Sequence, residues 1–148
     1  MTRTQFKAKT AARLALGAIF TVFGLNGFFH FLPQPPPSGL AAGFIAGLAE
    51  SGYMFPLIKG TEVIVGLLLL GNRFVPLALT VLAPIVVNIV AFHLFLAPAG
   101  LALPIAIAAL GIYLAYTERT LFSPFFRARS SDAVPPSARA GSPAPAPA

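Results

Sequence analysis

Long apolar runs, each close to the length that crosses a bilayer, constrain this chain more than any motif it carries. A helix rises about 1.5 Å per residue, so roughly 20 apolar residues traverse a hydrocarbon core of about 30 Å. Residues 11–32 form such a run, which the PQPPP segment at 33–37 stops. A second, 54–70, is shorter and is interrupted by Lys59 and Glu62, with Asn72 and Arg73 breaking the chain after it. A third covers 74–96 and ends at Pro98 and Gly100, and a fourth covers 101–117. Pro56, Pro84 and Pro104 lie in these runs, where neighbouring groups in a membrane satisfy the carbonyls that a proline frees. The first run has a basic leader but no A-x-A cleavage site, so it is expected to remain as a span. The expected fold is all-α: an integral membrane four-helix bundle.

Composition agrees. Only 9% of residues are charged and 57% are hydrophobic, against about 25% charged in soluble domains. A soluble enzyme, a disordered signalling chain and a disulfide-stapled module are excluded. The chain has no Cys, which removes disulfides, thiolate metal sites and cysteine nucleophiles. The positive charge is distributed by topology. Arg3, Lys7, Lys9 and Arg13 precede or open the first run, Arg73 lies between the second and third, and Arg119, Arg127, Arg129 and Arg139 follow the fourth. The segments 33–53 and 97–100 carry no Lys or Arg. The positive-inside rule then places both termini in the cytoplasm. This basicity reads as topogenic, and a nucleic-acid partner is not expected.

Three segments lie outside the spans. Residues 1–10 form a basic cytoplasmic arm. In the first outer loop, 38–51 is too short to span. There Gly39, Gly43, Gly47 and Ser51 repeat every four residues beside an apolar stripe of Leu40, Phe44 and Leu48. This pattern predicts a short interfacial helix whose small stripe permits close packing on a span, serving as a lid or connector. The segment 121–148 ends in an Ala/Pro/Ser-rich tail, expected to be disordered.

Ionisable and amide side chains within hydrocarbon are costly and mark function or packing. Asn26 and His30 share one face of the first span, and Lys59 and Glu62 share one face of the second. The third carries Asn88 and His93, about 140° apart round an ideal helix, with Asn88 expected on the interior face. With the assigned orientation all six fall in the outer half of the bundle. Each also has a structural reading. Lys59 and Glu62 can form an internal ion pair, Asn26 and Asn88 can hydrogen-bond between helices, and His30 can cap a helix end. Gly17 and Gly24 fit helix packing within one bundle or between copies, so an oligomer remains open.

The segments FGLNGFFHFLPQPP, FPLIKGTEVIVGLLLLGNRFVPLAL and LAPIVVNIVAFHLFLAP resemble the DoxX-like family of small bacterial membrane proteins, over roughly residues 12 to 120. The resemblance implies a bacterial inner-membrane protein associated with a membrane oxidoreductase and its partner subunits. It implies no catalytic residue set. The leading expectation is a quinone-sized pocket in the outer half, with His30 and Lys59 as donors and Glu62 as proton acceptor. Haem held between His30 and His93 is an alternative cofactor, and a metal site of His30, His93 and Glu62 has no spacing to support it. Transport of a small solute and a ligand-free scaffold are the alternative functions.

Overall fold

The computed structural model describes residues 3–122. All regular structure among them is helical: α1 (Arg3–Phe29), α2 (Gly39–Glu50), α3 (Met54–Leu70), α4 (Val75–Phe95), α5 (Ala102–Thr117) and a last turn α6 (Arg119–Phe122). A single 3-10 turn, Pro98–Gly100, joins α4 to α5. The tail expected to be disordered lies outside the described residues.

α1 and α4, of 27 and 21 residues, are each long and apolar enough to cross a membrane. α2 and α3 together hold enough apolar length for a third crossing, but they meet at 90° across a short break. At 16 residues, α5 is apolar but short. The protein is therefore a helical membrane protein with two crossing helices by length and composition, or three if the bent pair counts as one. Its outer surface agrees, since Ile64, Leu67, Val87 and Ile112 are all exposed, as lipid-facing side chains are.

The first span departs from expectation at both ends. No Gly or Pro interrupts 3–16, and Gln, Lys, Arg, Ala and Leu are strong helix formers, so the basic arm continues α1 without a break. The helix then ends at Phe29, three residues before the apolar run does. His30 takes the left-handed conformation (φ 52°), and its N–H donates to the Asn26 carbonyl at 2.9 Å.

The most extensive packing is between α1 and α3, and further contacts join α3 to α4, α4 to α5 and α5 to α1. The α1–α3 seam is built on small residues. A methyl group placed on Gly24 would strike Val63 and the Cβ of Glu62, and one on Gly17 would strike Leu70 and the Gly66 carbonyl. One on Gly66 would collide with Thr21, whose buried hydroxyl has no hydrogen-bond partner among the described residues. Backbone contact of this kind is how helices associate in lipid, where apolar side chains gain nothing by leaving a hydrocarbon solvent. Gly17 and Gly24 of α1 thus serve packing within the chain. The glycines of α2 do not: Gly39, Gly43 and Gly47 face open space, and the helix packs through buried Ala41 and through Phe44.

Packing is uneven along the molecule. Leu16, Phe20, Val65, Leu69, Leu82 and Leu114 are almost fully buried, and the buried residues of α4 all lie between Val75 and Leu82. The later half of α4 contributes none. The well-packed end is tied by polar contacts as well. Nη1 of Arg13 donates to the carbonyls of Leu69 and Leu70, capping the C-terminus of α3, where its positive charge also opposes the helix dipole. Lys9 pairs with buried Glu118 at 2.7 Å, tying α1 to the end of α5.

Gly66→Ala is expected to destabilise the detergent-solubilised protein by about 2 kcal/mol through overpacking of this seam. Gly111→Ala, where an added methyl meets open space, should leave stability unchanged or raised. Thermal unfolding followed by circular dichroism checks both.

Candidate functional site

The six polar residues singled out in the sequence separate into two groups. The first lies at the α1–α3 seam. α3 presents Lys59 and Glu62 one helical turn apart, and Lys59 Nζ donates to Glu62 Oε2 at 2.8 Å. The Glu62 side chain is 3% exposed and that of Lys59 22%. The α1 glycines make room for the pair. The Lys59 stem lies across Gly27, the base of Glu62 lies against Gly24, and the ammonium sits 5.9 Å from the centre of the Phe55 ring. A carboxylate this deeply enclosed needs its cation beside it, because desolvation of a lone charge would cost several kcal/mol.

Asn26 is buried on the same stretch of α1, but its amide serves its own chain rather than bridging to a second helix. Its Oδ1 accepts the Leu32 N–H at 2.6 Å. With the His30 N–H on the Asn26 carbonyl, one residue thus captures two backbone donors where α1 stops ahead of the prolines. His30 caps through its backbone, and its side chain is exposed.

The second group lies on the later half of α4. Asn88, expected on the interior face, is exposed, whereas His93 is half-buried. The cause is helix phase: Leu82, Ile85, Val86 and Ile89 continue the core-facing stripe of α4, and Asn88 falls beside that stripe, on the groove. His93 Nδ1 lies 2.9 Å from the Ile89 carbonyl oxygen, which only accepts, so this nitrogen carries the proton. The ring stands edge-on to Phe92, with centroids 5.2 Å apart, and rests on Gly100 in the α4–α5 turn. Phe44 of α2 meets Phe92 at 5.5 Å between ring centroids. These two rings, Phe95, Leu96, Ala91 and Asn88 line a groove of about 240 Å³, open on one side.

No three His, Asp or Glu side chains among the described residues stand close enough to share a metal ion. Two contributors to the arrangement escaped the sequence reading. Gly27 was seen only as part of a motif, although its missing side chain is what accommodates Lys59. Phe44 was assigned to an apolar stripe, and only the turn of α2 onto α4 makes it a wall of the groove.

Comparison with known proteins adds no relative: no family model matches the chain, and no curated protein or solved structure matches it.

Removing one member of the ion pair should cost more than removing both. Lys59→Met is expected to destabilise by about 3 kcal/mol, the lower end for a buried pair because Lys59 keeps some exposure. The double variant Lys59→Met/Glu62→Leu should recover most of that loss. Unfolding midpoints of the three proteins in one detergent measure the difference.

Proposed function

We propose that this chain is a DoxX-like, four-span protein of a bacterial inner membrane that serves a membrane oxidoreductase system by holding a quinone ring. In this reading α1, α3, α4 and α5 each cross, α2 lies in the outer interface, and both termini are cytoplasmic. The sequence resemblance and the one-sided distribution of Lys and Arg support that arrangement. The later half of α4 and the groove it shares with α2 then lie in the outer half of the bilayer.

The groove is the observation that carries the ligand. An apolar cavity of about 150 Å³ is enough to hold benzene. About 240 Å³ between Phe44, Phe92 and Phe95 suits a larger substituted ring, whose flat faces stack on aromatic walls. Asn88 at its edge supplies an amide N–H for a ring carbonyl, and the open side gives an isoprenoid tail an exit to lipid. Lys59 and Glu62 satisfy each other, and the Asn26 amide oxygen is engaged by Leu32, so these three are occupied within their own segments rather than meeting the ring. The protein's part is to bind and orient the quinone, and the partner oxidoreductase supplies the electrons.

A scaffold without a ligand is the second reading. It is favoured by the same self-satisfied ion pair and by the closely packed α1–α3 seam, both of which need no ligand to explain them.

The two readings separate in the ultraviolet difference spectrum of the purified protein before and after borohydride reduction, recorded after incubation with a short-tailed quinone. Bound quinone is expected on the unaltered protein, with most of it lost in Asn88→Leu and unchanged occupancy in Lys59→Met/Glu62→Leu. No retained quinone, or equal retention by Asn88→Leu, would favour the scaffold.

A further inference from the structure

Among the described residues no carboxylate balances the charge of Arg13. Among the described residues there are three carboxylates: Glu62 pairs with Lys59 and Glu118 with Lys9, while Glu50 lies at the far end of α2. Among the described residues, Arg13 Nη1 meets the carbonyl oxygens of Leu69 and Leu70. A guanidinium has five N–H donors in a planar fork, so the cap on α3 leaves most of them for another acceptor. Arg13 also lines a cavity of about 220 Å³ with Lys9, Thr10, Asn72 and Phe6. Every polar member can donate a hydrogen bond: two cations, a hydroxyl and an amide, the last held at the α3–α4 turn by a left-handed backbone (Asn72, φ 53°). Arg73 follows Asn72 and adds to the positive field.

The depth of the cavity follows from helix length. α1 is about 40 Å long at 27 residues, roughly 10 Å more than a hydrocarbon core. The apolar part of α1 is its later part, so the excess is the turn or two that carry Arg3, Lys7 and Lys9, and these stand at headgroup level. Phe6, largely exposed at the cavity wall, offers an apolar surface beside the cations. A free anion has no use for such a wall, whereas a glycerol backbone with its first acyl carbons does.

We propose that this cavity binds the headgroup of an anionic phospholipid, with its phosphate on Arg13, Thr10 and Asn72 and its glycerol against Phe6. The bound lipid would bridge α1 and the α3–α4 turn at the basic end of the protein.

Native mass spectrometry of the full chain, released from mixed vesicles of phosphatidylglycerol and phosphatidylcholine, tests this. Retained phosphatidylglycerol should exceed phosphatidylcholine by at least the roughly fivefold that one basic group contributes at a membrane surface. Thr10→Val with Asn72→Gly removes two donors, leaves every charge in place and suits the local backbone, and it should abolish most of the preference. Lys7→Gln removes a charge outside the cavity and should retain it. Equal loss in Lys7→Gln and in the donor variant would overturn the site in favour of diffuse attraction. Glycerol phosphate displacing the lipid at matched concentration would overturn the assignment to a lipid in favour of a free phosphate ester.

Discussion

The close approach of α1 and α3 is the constraint on which the rest of the structure depends. In a bilayer the hydrophobic effect gives helices no reason to leave lipid for one another, so their association rests on contact density and on polar groups that find partners. Gly17, Gly24 and Gly66 let two backbones meet, and the contact is tight enough that Thr21 buries a hydroxyl without a partner among the described residues. The same absence of side chains at Gly24 and Gly27 makes the space in which Lys59 and Glu62 can lie paired beneath α1. The seam and the ion pair are therefore one device: the glycines admit the charges, and the pairing makes the charges tolerable where water is scarce.

From that seam the architecture extends unevenly. Arg13 and Lys9 fasten the basic end, where Leu69, Leu82 and Leu114 are fully packed. The opposite end is looser, because α4 after Leu82 touches the core only through the partly buried Ile85, Val86 and Ile89, and α2 turns across at 90° instead of continuing α3. Ser51 stabilises that corner by donating to the Leu48 carbonyl and accepting the Met54 N–H, which satisfies groups at the end of one helix and the start of the next. The groove between α2 and α4 lies at the open end, away from the close α1–α3 packing.

Much of this was legible in the sequence, and the failures are instructive. The helices at 54–70, 74–96 and 101–117 and the short helix near 38–51 follow from apolar run length and from Pro and Gly punctuation, and the observed elements start and stop within about two residues of them. The Lys59–Glu62 contact follows from spacing three residues apart on one helix. What the sequence did not reveal depends on how helices sit against each other. Asn88 was expected inside because amides avoid lipid, but it lies off the stripe of Leu82, Ile85, Val86 and Ile89 that faces the core. The glycine stripe of α2 has the same spacing as a packing seam and packs on nothing, whereas Gly17, Gly24 and Gly66 do pack, and spacing alone cannot distinguish these. Asn26 was read as a bridge between helices, yet its partner is Leu32, six residues on, across a turn that His30 makes with a left-handed backbone.

Because the chain contains no cysteine, the seam can be probed without background. Cysteines introduced at Gly24 and Val63 in native membranes, followed by mild oxidation, test whether it lies within one chain. A Cβ at position 24 would lie 2.8 Å from Cγ2 of Val63, so a thiol there reaches position 63 of the same chain once the seam yields slightly to the added side chain. An intramolecular disulfide should form rapidly, seen as a faster-migrating monomer on a non-reducing gel. Cross-linked dimers with no monomer shift would contradict it, because the glycines would then join copies of the chain instead of holding α1 to α3.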